Sequence, residues 1–226
     1  MSDTSHAWMP ASPCGSGCLD GDAPRVGNLT MARRAVSLGM ILASFPVANS
    51  VVPRRHRAGL QRNYARLVVR CCGMRIEVRD ERGEHSTVDG YAAPGAGAIV
   101  VAGHVGWSDV LVLASVQPLG FVARADLVDW PLLGALARKM RVIPIERAQL
   151  KSLPGVVRQI ADRVEACERI AFFPEGTTWC GRAYGSLRPA LFQAAIDTDT
   201  PVQPDRKSGS AGMPRPLNGS RMPSSA

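Results

Sequence analysis

The stretch that decides the fold is Ala98-Ile99-Val100-Val101-Ala102-Gly103-His104-Val105-Gly106-Trp107-Ser108-Asp109, an apolar run of strand length that gives way to a glycine and a histidine. Five consecutive apolar residues without polar alternation suit a strand covered on both faces, as strands of parallel sheets are. A second stretch repeats the arrangement, with Ile170-Ala171-Phe172-Phe173 running into Pro174-Glu175-Gly176-Thr177-Thr178. In open α/β sheets ligands bind beyond the carboxyl ends of the strands, so both polar clusters are expected on one rim.

Working outward, segments 121–123 and 142–145 read as further short strands, and Ile76 with Val78 as an earlier one. Segments 109–115 and 130–140 read as helices, the second with Pro131 near its start. Val156, Val157, Ile160, Val164 and Cys167 mark an amphipathic helix by their spacing. Strands alternating with helices imply an α/β fold, a largely parallel central sheet flanked by helices. One or two membrane-associated helices are expected before it. The first expected helix is the apolar stretch 35–52, set between Arg33-Arg34 and Arg54-Arg55-His56-Arg57 and interrupted by Pro46. It fits an interfacial or re-entrant helix, a short span, or a buried helix of the domain. Leu60, Tyr64, Leu67 and Val68 give a second, amphipathic one. The expected organisation is a flexible leader (1–30), a membrane-associated helical segment (31–70), a catalytic domain (71–204) and a disordered tail (205–226).

His104 and Asp109 stand five apart, about 140° around a regular helix, so they can meet only across a turn. Gly106 can supply that turn, and Ser108 or Asp109 can cap the helix that follows. Asp109 would then fix one imidazole nitrogen and leave the other to accept a proton. Taken alone, such a pair reads first as a loop histidine beside a helix-terminal acid.

The second cluster changes that reading. The two together resemble the glycerolipid acyltransferase family, typified by 1-acylglycerol-3-phosphate acyltransferase. Its N-H-x-x-x-x-D motif is matched from Gly103 to Asp109, with Gly103 in place of Asn, and its F-P-E-G-T-R-S motif by Phe173 to Thr177, departing at Thr178 and Trp179. Between them, Val142-Ile143-Pro144-Ile145-Glu146-Arg147 resembles the second motif, approached through Arg124, Asp126, Pro131 and Gly134. Thr200-Pro201-Val202-Gln203-Pro204 resembles the start of the fourth.

The resemblance implies transfer of a fatty acyl group from acyl-CoA or acyl carrier protein to a lysophospholipid hydroxyl, with 1-acylglycerol-3-phosphate as the leading acceptor. It makes His104 the general base and Asp109 its orienting acid. Arg124 and Arg147 would hold an acceptor phosphate or carboxylate, and Glu175, Gly176 and Thr177 would position the acceptor's polar head. The thioester is a co-substrate, and neither a cofactor nor a metal is expected. Thr178 stands where the family carries an Arg associated with phosphate binding, which keeps a lyso-ornithine lipid or another lysolipid open as acceptor. Residues 205–226 are rich in Ser, Gly, Pro and Arg where the family continues with apolar elements. A truncated, catalytically impaired membrane-binding homologue is therefore the rival expectation.

The net charge of +8 comes mostly from arginine, lysine occurring only at Lys139, Lys151 and Lys207. It fits an anionic partner and equally a genome-wide compositional bias. With 5% aromatic residues and no helix-turn-helix, zinc-finger or RNP pattern, nucleic acid is not expected, and an anionic membrane surface is. The expected location is the cell membrane, peripheral or monotopic on its cytoplasmic side. The six cysteines lack the spacing of a disulfide framework, and Cys14 and Cys18 are followed by no second Cys or His pair at zinc-site spacing. No G-x-S-x-G elbow or P-loop occurs, which removes the commonest serine hydrolase and nucleotide-binding readings.

Overall fold

In the computed structural model, the described residues are 8–18, 26–80, 90–130, 134, 137–138 and 140–205. Five strands form one sheet: β1 (Ala98–Ala102), β2 (Gly120–Arg124), β3 (Ile143–Ile145), β4 (Arg169–Phe172) and β5 (Val202–Asp205). Their order is β3-β2-β4-β1-β5 and every pairing is parallel. The strands expected at 121–123, 142–145 and 170–173 are present within a residue or so. Ile76 and Val78 are not: the described part of their segment is irregular and pairs with no strand. Two apolar residues give too short an alternation to hold a strand without a neighbouring edge.

Side-chain alternation divides the core in two. Ile99, Ile170 and Phe172 face one side with Val122 and Ile143, and are covered by α4 (Leu153–Glu165) through Val156, Val157, Ile160 and Val164 and by α5 (Gln193–Asp197) through Ala194 and Ala195. Val100, Ala102 and Ala171 face the other with Leu119 and Phe121, beneath Leu113 of α3 (Ser108–Val116). The crossover from β1 to β2 and those from β3 to β4 and from β4 to β5 run in opposite directions across the sheet. Crossovers of one hand must then place their helices on opposite faces, as observed. Much of the helix expected at 130–140 lies outside the described residues.

Among the described residues two α-helices precede the sheet. In α2 (Arg57–Cys71), Ala65, Val68 and Val69 are buried, and Arg66 Nε donates to the Ser115 carbonyl of α3 at 3.1 Å. Outside it, α1 (Asn28–Val51) touches α2 where Phe45 meets Tyr64 edge to face at 5.1 Å and Ser44 shares a hydrogen bond with the Tyr64 hydroxyl at 3.0 Å. No residue of α1 is buried, which removes the buried-helix reading of segment 35–52. Its Leu29, Val36, Met40, Val47 and Val51 are exposed, and its 24 residues are long and apolar enough to cross a membrane.

The far edge is fastened through Tyr91, whose hydroxyl donates to Asp205 Oδ2 at 2.6 Å. Burial, with the Asp205 carboxylate beside it, pushes the phenol well above its ordinary range and keeps it a donor. Asp205, at the boundary drawn for the tail, is therefore the last residue of β5.

Gly97 enters β1 against α4, and a Cβ there would stand 2.1 Å from the Val164 carbonyl oxygen. Because backbone cannot yield as a side chain tip can, Gly97→Ala should destabilise the fold by about 1–3 kcal/mol, read as a lowered urea midpoint. An unchanged midpoint would mean that α4 does not lie against β1 in this way.

Candidate functional site

The parallel register sets Val101 of β1 opposite Phe172 of β4, so the chains beyond these strands emerge side by side. The His104 backbone N–H donates to Glu175 Oε2 at 2.9 Å, and the Gly185 N–H donates to the other oxygen of the same carboxylate at 3.2 Å. The Trp179 N–H returns to the His104 carbonyl at 2.7 Å. Glu175 is 5% exposed. Its carboxylate, expected to meet the acceptor head group, thus turns inward and ties the His104 loop to the loop that follows β4.

Asp109 is 4% exposed, and its Oδ2 accepts three hydrogen bonds: from Val105 N at 2.6 Å, from Gly106 N at 3.0 Å and from His104 Nδ1 at 2.9 Å. An oxygen already accepting from two backbone N–H groups is an acceptor toward the third partner as well. Nδ1 is therefore the donor, and in the neutral imidazole Nε2 presents the lone pair. The imidazole lies flat on the Phe173 ring, centroids 4.1 Å apart and planes 14° apart, which fixes the ring's tilt as the aspartate fixes its rotation. The turn between His104 and Asp109 forms as expected, closed by Asp109 N donating to the Gly106 carbonyl at 3.1 Å, but Gly106 makes it without a positive φ. Neither Ser108 nor Asp109 caps α3: the N-cap is Trp107, and the Asp109 side chain reaches back into the loop.

Gly176, at φ 70°, takes the left-handed turn after Glu175, its N–H donating to the Phe173 carbonyl at 3.0 Å. Thr177 follows it in the same loop, half-buried. The Gly176 carbonyl accepts from Arg147 Nη1, so the second residue after β3 joins the rim assembled by β1 and β4. Arg147 is partly buried, and that burial, with the positive charge of Arg124 next in importance, lowers its pKa from an ordinary guanidinium value. Arg124 is exposed at the end of β2 and donates from Nε to Asp126 Oδ1 at 2.9 Å. Two guanidiniums whose charges act on each other at one end of the sheet suit an anion.

The rim residues quoted from the sequence are thus brought to one end of the sheet, in two groups: His104 with Asp109 and Glu175, and Arg147 with Arg124 and Gly176. The sequence reading did not identify Phe173 as the surface beneath the imidazole, although its place just before Pro174 at the end of a strand was a usable signal. It also did not identify Trp179, whose backbone joins the loop to His104 while its ring fills the space beside Gly185.

The glutamate bridge has a measurable consequence. In Glu175→Gln only one side-chain atom can accept, leaving one of two backbone N–H groups facing an amide NH2. The expected loss is about 1–3 kcal/mol in chemical denaturation. No loss would show that Glu175 does not hold the two loops together.

Comparison with known proteins bears on the family and the fold. A family model described as Acyltransferase matches residues 75–206. A lyso-ornithine lipid O-acyltransferase of Rhizobium meliloti (strain 1021) is 30% identical over 160 residues, covering 71% of this chain and 51% of that protein. A 1-acyl-sn-glycerol-3-phosphate acyltransferase of Neisseria gonorrhoeae is 30% identical over 106 residues, 47% of this chain and 42% of that protein. The chain spans about half the length of the curated relatives it matches. Among solved structures, the 1-acyl-sn-glycerophosphate (LPA) acyltransferase PlsC from Thermotoga maritima shares the fold, with a TM-score of 0.55 and 14% identity over 76% of this chain and 73% of that one.

Proposed function

Since the chain belongs to the acyltransferase family, we propose that it moves a fatty acyl group from a thioester, acyl-CoA or acyl carrier protein, to the hydroxyl of a lysolipid. The observation that carries this reading is the Asp109-bound imidazole, with Nδ1 protonated and Nε2 left as the base.

In the proposed reaction Nε2 of His104 takes the proton of the acceptor hydroxyl as its oxygen attacks the thioester carbonyl. Asp109 stabilises the imidazolium that results. The tetrahedral intermediate then collapses with loss of the thiol, to which His104 returns the proton. The products are the ester and a free thiol, with no acyl-enzyme formed. Backbone N–H groups of the rim loops would support the oxyanion, as preorganised donors do in other acyl transfers.

Arg124 and Arg147 are assigned to the acceptor's anionic group, Gly176 and Thr177 to the loop beside it, and Glu175 to holding that loop. Two acceptors fit. A phosphate, as in 1-acylglycerol-3-phosphate, suits the paired guanidiniums. A lyso-ornithine lipid, with a carboxylate in place of the phosphate, is favoured by Thr178 standing where the family pattern has Arg and by the names of relatives such as the Rhizobium meliloti protein. The exposed apolar α1 and its flanking arginines support attachment to an anionic membrane surface, where both acceptors reside. The cytoplasmic side is the face proposed, since acyl-CoA and acyl carrier protein are water-soluble donors made there.

The test is acyl transfer from labelled acyl-CoA and acyl carrier protein to a panel of lysolipids presented in vesicles. His104→Ala should lower kcat by about 10²–10⁴-fold, the usual worth of a general base. Arg147→Ala should act mainly on the acceptor's KM. Folded wild-type protein that acylates none of the panel, or His104→Ala that keeps full activity, would refute the proposal.

A further inference from the structure

Three thiols from opposite ends of the sequence converge beside the rim. Cys14 precedes and Cys18 ends a tight 3-10 turn, Ser16–Cys18, and Cys180 lies within the loop that carries Glu175. Their Sγ atoms all lie within 4.8 Å of one another. Three atoms so spaced share a point no more than about 2.8 Å from each, within about half an ångström of a zinc–thiolate bond length. The surroundings are those of a thiolate site. The Cys180 N–H donates to Cys14 Sγ at 3.3 Å, and the backbone N–H groups of Arg182 and Ala183 are directed at the Cys180 sulfur. Gly181, at φ 82°, provides the left-handed turn that aims them there. The other cysteines, Cys71, Cys72 and Cys167, lie outside the cluster.

We propose that Cys14, Cys18 and Cys180 form a binding site for a thiophilic d¹⁰ metal ion of the zinc type, with solvent completing its coordination. Thiolate sulfur selects such an ion over magnesium or calcium. Each thiol gives its proton to solvent as its sulfur binds, and no oxidant or reductant takes part. A disulfide would use two of the three sulfurs, would require an oxidant and would leave the third without a role. This site departs from the expectation drawn from sequence, because its third ligand lies far along the chain from the other two.

The ion would fasten residues 8–18, read from sequence as part of a flexible leader, over the loop after β4. Pro10 already lies on that loop, its Cγ 2.6 Å from where a Cβ on Gly176 would stand. The site is thus a structural staple, independent of acyl transfer, that holds an amino-terminal cover against the turn next to Glu175.

The experiment uses the full chain, purified under reductant, stripped with chelator and titrated with Co²⁺ and then Zn²⁺. One ion per chain and thiolate-to-cobalt charge-transfer bands are expected. Zn²⁺ affinity should fall on the order of 100-fold or more in Cys180→Ser and in Cys14→Ser, and stay unchanged in Cys71→Ser. Circular dichroism of each metal-free variant against metal-free wild type separates lost ligation from lost folding. Should a serine variant not fold, proteolysis of the wild type decides: Zn²⁺ should slow cleavage within residues 8–18. Substoichiometric binding, cobalt spectra without thiolate bands, unchanged affinity in Cys180→Ser, a disulfide within the trio in place of metal binding, or cleavage indifferent to Zn²⁺ would each overturn the proposal.

Discussion

Everything at the rim depends on the parallel register between β1 and β4. With Val101 opposite Phe172, the next residues of both chains leave the sheet together, and the His104 backbone comes within 2.9 Å of the Glu175 carboxylate. A one-residue slip of β4 would exchange its two faces, taking Ile170 and Phe172 off the α4 side. The apolar packing that fixes the register therefore also fixes the site. Glu175 then converts strand alignment into loop alignment, since its two oxygens join the His104 loop to Gly185. Burying a carboxylate is costly unless its oxygens are hydrogen-bonded, and here both are.

Asp109 works by the same economy at shorter range. One oxygen gathers two backbone N–H groups and the imidazole Nδ1, so a single side chain shapes the turn and chooses the tautomer. Phe173 restrains the imidazole from its face. The imidazole is thus held by the loop's own backbone, by a neighbouring strand end and by an aromatic ring. The cationic half of the rim is built differently: Arg147 is partly buried and tied to Gly176, whereas Arg124 is exposed and paired with Asp126. One guanidinium is thus tied to the loop after β4 and the other to a carboxylate beside β2.

Much of this was legible in the sequence because it rests on local patterns. The apolar run at 98–102 and the one ending at Phe173 each stop at polar residues, and period and length alone place them in a parallel sheet with a shared rim. What escaped the reading depends on contacts that sequence spacing does not carry. The inward turn of Glu175 comes from Gly185, ten residues away across a loop. The weak alternation at Ile76 and Val78 suggested a strand, but the described part of that segment pairs with none. The apolar stretch that became α1 was ambiguous because length and composition are alike for a core helix and a membrane helix; that none of its residues is buried sets it apart from a core helix. Cys180 joins Cys14 across most of the chain, a distance at which a ligand pattern cannot be read from sequence.

The central claim is that Asp109 holds His104 with Nδ1 protonated and Nε2 bare. Nitrogen NMR of the full chain carrying ¹⁵N-labelled histidine measures this directly, with the His104 resonances assigned by their disappearance in His104→Gln. At a pH where the imidazole is neutral, Nδ1 should show the shift of a protonated nitrogen and Nε2 that of a bare one. In Asp109→Ala this preference should be lost. The opposite tautomer in the wild-type protein, with the proton on Nε2, would contradict the account.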